Sequence, residues 1–267
     1  MSDFHSFALA HGLQIDQLYP AARVQRCATV DKPRSKNGAW FWDGVRGWVS
    51  DWAQGGDLHW FEGGEQRVFS DADKKAWAQK KAALQSRQES GWQRAADAAA
   101  DVLRDTELKE HNYLHCKGLG DVMGLVSADG ALVVPMRSVN NNDLVGVQLI
   151  RWLADERRYE KKMLPGMRAK GAVLRIGPKT AQETILCEGY ATGLSIEKAA
   201  RQMRLSAAVL VCFSDSNMAH VAGLIKGKAY CFADNDESGA GQRAAEKTNL
   251  PFCMSPTVGQ DVNDVHV

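Results

Sequence analysis

From Thr184 to the end of the chain, short apolar runs alternate with segments of helical rhythm. Thr184-Ile-Leu-Cys187 reads as a strand, and Tyr190 to Arg204 as a helix with apolar residues at 194, 199 and 203. Ala208 to Phe213 reads as strand, Met218 to Ile225 as helix, Lys228 to Ala233 as strand, Gly239 to Lys247 as helix and Phe252 to Met254 as a last strand. Strands separated by a helix cannot close as tight hairpins, so they pair in parallel through crossovers. The pattern therefore predicts an α/β fold, with a parallel sheet carrying helices on both faces.

The residues before it follow other rules. Seven of eight tryptophans (40, 42, 48, 52, 60, 77 and 92) fall in the first 92 residues, and only Trp152 lies beyond. Aromatic and polar residues alternate between Ala39 and Trp52 around Gly44 and Gly47, as in a hairpin. Gly55-Gly56 and Gly63-Gly64 suit turns. Asp71 to about Arg104 is rich in Ala, Lys, Gln and Arg without proline, which predicts a helix with Ser70 as N-cap and a break at Gly91. Ala131 to Arg137 and Leu144 to Ile150 are β-type runs around an Asn140–Asp143 turn. The expected organisation is a Trp-rich α+β module over 1–69, a helical connector over 70–108, a basic strand-rich α+β subdomain over 109–180 and the α/β domain over 181–267.

Composition excludes several classes. Of 267 residues, 45% are hydrophobic and 24% charged, which is globular rather than disordered. The longest apolar run, Ala207 to Phe213, is far shorter than the ~20 residues that span a bilayer. The N-terminus lacks a signal-peptide pattern, and the six cysteines show no paired spacing, so a reduced, cytoplasmic protein is expected. Net charge is +1, but its distribution is uneven: nine Lys/Arg against three acids between Arg151 and Lys179, then ten acids against seven bases from Glu183 onward. A basic track for a polyanion beside an acidic metal site would produce that order, as would two solvated faces.

The acids sit where such a sheet binds ligands, at the carboxyl ends of the expected strands. Glu188-Gly189 follows the first strand, Asp234-Asn-Asp236-Glu-Ser-Gly239 the third, and Asp261-Val-Asn-Asp264 the last. Oxygen donors gathered there suit Mg²⁺ or Mn²⁺. The Asp-x-Asp-x-Ser-Gly stretch is not an EF-hand loop, because position twelve is Ala245 and a strand precedes it. Gly239 and Gly241 are read as glycines that bring backbone close to the acidic loop and open the next helix. His111, His115 and Cys116 lack a second ligand pair nearby, so no structural zinc is expected.

Leu186-Cys-Glu-Gly-Tyr-Ala-Thr-Gly, Phe232-Ala-Asp-Asn-Asp-Glu-Ser-Gly-Ala-Gly and Gly259-Gln-Asp-Val-Asn-Asp264 together closely resemble the Toprim domain of phage- and plasmid-encoded primases, related to the catalytic core of DnaG-type primases. Segments from Tyr113-Leu-His-Cys-Lys-Gly-Leu119 through Val133–Arg137, Val145–Ile150, Lys161–Gly166 and Lys170–Ala172 resemble the part preceding Toprim in such proteins, so the likeness spans about 110–267. It implies Glu188, Asp234 and Asp236 as catalytic residues, and the same three with Asp261 as ligands of two Mg²⁺ or Mn²⁺ ions. Gly189 and Gly239 are its structural glycines, and Arg137, Lys161, Lys162 and Lys170 are candidates for holding template and nucleotide phosphates. The zinc-module cysteines of DnaG-type primases are missing, and no P-loop or helicase segment is present.

The function so implied is synthesis of short primers on single-stranded DNA from nucleoside triphosphates by metal-dependent nucleotidyl transfer, in replication of a phage, plasmid or other mobile element. A separate replicative helicase is the expected partner, with no membrane involved. The rival classes are a Toprim metal-dependent nuclease and a non-catalytic single-strand-binding replication or regulatory protein. Trp40, Trp42, Trp48 and Trp52 suit an aromatic core beneath the hairpin, with base stacking as the sharper alternative.

Overall fold

The computed structural model describes residues 3–21, 23–52, 56–62 and 71–266. Gly55, Gly63, Gly64 and the expected cap Ser70 lie outside the described residues. Two compact units divide at Lys80/Lys81. The first contains α1 (Phe4–Ala10), β1 (Leu13–Gln14), β2 (Gln25–Thr29), β3 (Gly38–Trp42), β4 (Arg46–Asp51) and β5 (His59–Glu62), with the five strands in sequence order in one sheet. The predicted hairpin is the antiparallel β3–β4 pair, running from Gly38↔Asp51 to Trp42↔Gly47. Alternation along these strands sends Trp40, Val49 and Cys27 into a core closed by Phe4 and Ala8 of α1, with Trp42 and Phe61 packed against it. Phe4 stacks on Trp42 at 5.8 Å and meets Phe61 edge-on at 5.4 Å.

Helix α2 (Asp71–Arg104) spans the predicted segment without a break at Gly91. Its alanines supply propensity, and its buried Ala99 packs on Val133 and Val147 of the second unit's sheet. That unit continues with β6 (Thr106–Lys109), α3 (Asn112–Cys116), β7 (Gly124–Ser127), β8 (Leu132–Ser138), β9 (Leu144–Leu153), β10 (Arg158–Met163) and β11 (Ala172–Ile176). The alternating part follows as β12 (Glu183–Cys187), α4 (Tyr190–Gln202), β13 (Ala207–Val211), α5 (Asp215–Ala222), β14 (Lys228–Ala233), α6 (Ala240–Thr248), β15 (Phe252–Met254) and α7 (Val262–His266).

All these strands form one mixed sheet in the order β10-β9-β8-β11-β13-β12-β14-β15, with β6 and β7 attached beside β8. The expected parallel set is real, since β12 pairs in parallel with β13 and β14, and β14 with β15. Strand β11 was not legible in the sequence. It pairs antiparallel with β13 and with β8, so the sheet is not purely parallel but runs on into the basic segment. Helix α4 covers one face, where Ile185, Cys187, Val209 and Val211 share a core with Leu132, Val134 and Ile150. Helices α5 and α6 cover the other, where Leu186, Leu210, Cys212 and Cys231 meet Met218, Val221, Ala244 and Ala245. Among the described residues no helix is long and apolar enough to cross a membrane.

Helix α5 starts three residues before the expected Met218, because Ser214 caps it by accepting from the Asn217 N–H at 3.3 Å. The buried Asn217 side chain then fastens β11 to β13. Its Oδ1 accepts from the Gly171 N–H at 2.7 Å, while its Nδ2 donates to the carbonyls of Ala172 and Cys212 at 2.7 and 2.8 Å. Replacing Asn217 by Leu strands three backbone groups away from water, and the expected loss is about 2–4 kcal/mol in chemical denaturation. Asn217→Asp should cost nearly as much, because a carboxylate cannot donate to the two carbonyls.

Candidate active site

Strand β12 is the point where the sheet's connections diverge. The chain leaving β12 enters α4 on one face, and the chain leaving the adjacent β14 enters α6 on the other. The cleft between two such carboxyl ends is where open α/β sheets bind ligands. Glu188 follows β12, and its carbonyl accepts from the Phe213 N–H at 2.9 Å, which extends the β12–β13 pairing past the strand ends. Asp234 follows β14. Its loop is latched to the final segment by Asn235, whose Nδ2 donates to the Ser255 carbonyl at 2.9 Å and whose own carbonyl accepts from the Gly259 N–H at 2.6 Å.

The two carboxyls share an unfavourable environment. Burial, then the charge and hydrogen bond of Asp215, then the charge of Asp234, push Glu188 up to about 7. Burial, then the charges of Asp261 and Asp215, push Asp234 up to about 6. The Lys161 ammonium opposes both shifts. One oxygen of Asp234, Oδ1, is buried without a hydrogen-bond partner. A buried acceptor left bare costs about 1–3 kcal/mol, and a cation would remove that cost.

Asp236 is different. Its carboxylate accepts from the Ser238 hydroxyl, from the Ala240 N–H at 3.2 Å and from the Gly241 N–H at 2.8 Å. These donors, in that order of importance Ser238, Gly241 and Ala240, hold its carboxyl far below the usual range. Asp236 therefore binds the N-terminus of α6. Gly239 caps that helix in the left-handed conformation (φ 66°), and Gly241 is packed so tightly that a Cβ would lie 2.1 Å from the Asp234 carbonyl oxygen. Gly189 caps α4 in extended conformation, with space for a Cβ only 3.1 Å from Thr192 Oγ1.

Asp261 and Asp264 form a reciprocal cap on α7. The Asp264 N–H donates to Asp261 Oδ1 at 2.9 Å, and the Asp261 N–H to Asp264 Oδ2 at 3.0 Å. Lys117 lies 3.3 Å from Asp264 and 4.0 Å from Asp261, and the Thr192 hydroxyl donates to Asp261 Oδ2 at 3.4 Å. Among the described residues no three His, Cys, Asp or Glu side chains converge closely enough to enclose a metal ion. Glu188 and Asp234 nevertheless fit a hard cation: they are oxygen donors held close to neutrality, and one oxygen lacks any partner.

The basic candidates separate. On β10 the pleat sends Lys161 and Lys162 to opposite sides. Lys161 lies over the Tyr113 ring at 5.6 Å and faces the acids, while Lys162 pairs with Glu160 at 2.9 Å. Arg137 donates to the Asn142 carbonyl at 3.0 Å and braces the β8–β9 turn; Lys170 is exposed just before β11. Arg151 and Arg158 are paired with Asp129 and Glu156 at 2.8 and 2.5 Å, so the basic block is partly neutralised. His111 caps α3, its Nδ1 accepting from the Tyr113 N–H at 3.1 Å, and His115 approaches Glu110 at 3.4 Å.

Sequence reasoning missed Asp215, the residue that hydrogen-bonds Glu188, because the helix after β13 was started too late. The Ser214-x-x-Asn217 cap at a strand's carboxyl end was the available signal. It also missed Lys117 and Thr192, whose contacts are long-range.

Two outcomes follow from this packing. Gly241→Ala must displace the Asp234 backbone or the first turn of α6, with an expected loss of about 2–3 kcal/mol in denaturant unfolding. For Asp234, ionisation favours the unfolded chain between its ordinary 3.8 and its folded value of about 6, so its stabilising contribution disappears as pH rises through that window. Metal-free wild type should therefore lose about 1–2 kcal/mol relative to Asp234→Asn between pH 4 and pH 8, after allowance for solvent screening. Thermal melts of both proteins with a chelator present would measure the difference.

Residues 183–267 match the family model of the Toprim domain. A search of curated proteins finds no match. Among solved structures, similarity is found to one titled "Structure of the DnaG catalytic core", at 18% identity and a TM-score of 0.35, over 51% of this chain and 47% of that one. The chain thus spans about half the length of that structure. With its acidic cleft between β12 and β14, the segment 183–267 is a Toprim domain.

Proposed function

We propose that this protein is a DNA primase-like nucleotidyltransferase, making short primers on single-stranded DNA from nucleoside triphosphates in the replication of a phage, plasmid or other mobile element. The observation that carries this reading is the pair Glu188 and Asp234 at the divergence of a Toprim sheet, both raised toward neutrality, with Asp234 Oδ1 buried and unpartnered. Glu188 and Asp234 would hold Mg²⁺ or Mn²⁺, with Asp261 the nearest further carboxylate in electrostatic influence on Asp234. A bound divalent cation supplies charge neutralisation for triphosphate oxygens and the departing pyrophosphate.

The chain's own groups do the rest. Glu188, hydrogen-bonded to Asp215, is suited to take the proton of an attacking 3′-hydroxyl on its carboxylate near neutral pH. Lys161, held over Tyr113 and facing both acids, would place a positive charge beside the nucleotide phosphates. Asp236 keeps the Asp234 loop in register with α6 and acts as a positioning residue. Lys162, Lys170 and Arg137 would contact the template backbone, where only charge is required. A separate helicase is the partner this reading expects.

Purified protein incubated with mixed single-stranded templates, labelled nucleoside triphosphates and Mg²⁺ or Mn²⁺ should yield short, template-dependent oligomers. Asp234→Asn and Glu188→Gln should each reduce them by at least about 10²-fold, the scale expected when a charge-stabilising group at the reaction centre is removed. Apparent Mg²⁺ affinity should fall as pH drops through about 7 and then about 6, because protons compete with the cation for Glu188 and then Asp234. Shortening of the template without synthesis would instead identify a Toprim nuclease. Unchanged synthesis in both variants would overturn the assignment.

A further inference from the structure

The first unit's sheet has a second face, and its chemistry is unlike that of a solvated surface. The core face takes Trp40, Trp42, Val49 and Phe61. Their neighbours in sequence must point the other way. Phe41, Trp48 and Trp60 are Cα partners across β3, β4 and β5, so they form one transverse aromatic row on the outer face. Trp60 is 63% exposed, and Trp52, just beyond β4, is 66% exposed. Tryptophans that remain this open contribute little to folding, so a structural role does not explain them.

Cations accompany the row. Arg26 alternates with the core residue Cys27 and is the Cα partner of Ala39, which places it on the outer face. Its guanidinium lies 4.6 Å from the centroid of the Trp52 ring. Arg46, in register with Glu62, stands at the other end of β4. Arg26 also lines a groove of about 350 Å³ beside β2, together with Arg34, Lys36 and one acid, Asp16. Flat aromatic surfaces on a sheet, adjoining a groove with three cations and one acid, match unstacked bases joined to a phosphate backbone. Antiparallel sheets use such rows to hold two or three bases. Aromatic residues and arginine also suit protein interfaces, but the adjoining groove, with Arg26, Arg34 and Lys36 against one acid, favours a polyanion.

We infer that the outer face of β3–β5, through Trp48, Trp60 and Trp52 with Arg26, is a binding surface for single-stranded nucleic acid, separate from the acidic cleft of the Toprim domain. It does not depend on catalysis. The surface is expected to accept many sequences, because every base has a face to stack and none of these groups reads base edges in a fixed geometry.

The test is fluorescence anisotropy of labelled oligo-dT and oligo-rU with the full chain across a salt series. Trp60→Ala and Trp52→Ala should each weaken binding about 5- to 100-fold at unchanged salt slope, while Trp60→Phe keeps most of the affinity. Arg26→Ala should lower the salt slope by about one. Circular dichroism confirms that each variant is folded. Wild-type affinity in the folded Trp60→Ala/Trp52→Ala double variant overturns the inference, as does failure of wild type to bind either oligonucleotide. A change in sedimentation of that variant with binding unaltered would make the face a protein interface instead. Primer synthesis is read on Asp234→Asn and oligonucleotide binding on the tryptophan variants, so failure of the primase reading and failure of this inference are distinguishable.

Discussion

The antiparallel insertion of β11 between β8 and β13 determines what can reach the acidic cleft. Without it, the parallel strands would end in an open edge and the basic strands would belong to another sheet. With it, residues of β8 and β9 share one core with α4, and Lys161 on β10 acts on Glu188 and Asp234, which lie well downstream in sequence. The three hydrogen bonds of Asn217 hold that junction where β11 begins and β13 ends. A cluster of like charges needs such a rigid frame, because relaxation of the loops would be the easiest way to relieve repulsion.

Within the cleft, the backbone divides the labour between two aspartates one residue apart. Asp234 ends a strand against Gly241 and keeps an oxygen without a partner; Asp236 turns into the first turn of α6 and is satisfied there. Extended chain places both on the same side, and the sequence pattern therefore suggests two equivalent carboxylates. The left-handed Gly239 ends that extension and curls the loop, so the carboxylates meet different donors. Equivalent residue types thus acquire opposite titration behaviour from a single turn.

Much of this was readable from residue order. The short apolar runs and 3.6-residue patterns after Thr184 located the parallel strands and the helices on both faces, and Glu188 and Asp234 fell just past strand ends as the pattern required. The alternation at Ala39–Trp52 located the β3–β4 hairpin, but not which tryptophans faced inward: Trp40 joined the core and Trp48 did not, a matter of which face α1 covers. Strand β11 was hidden because Ala172–Ile176 is short and its partners lie at distant positions. The Asp215–Glu188 contact was hidden for the same reason, since only the sheet order brings the ends of β12 and β13 together.

The capping role of Asp236 also bears on the order of events in the life of the chain. A carboxylate compensated by backbone N–H groups needs no counterion, and burial raises the Glu188 carboxyl toward neutrality. Repulsion in the empty cleft is thereby reduced to what Asp234 and its neighbours cannot discharge. Assembly of the polypeptide and acquisition of an ion are thus separable in time: a newly made chain can reach its final shape first and be loaded afterwards, from whatever divalent pool surrounds it.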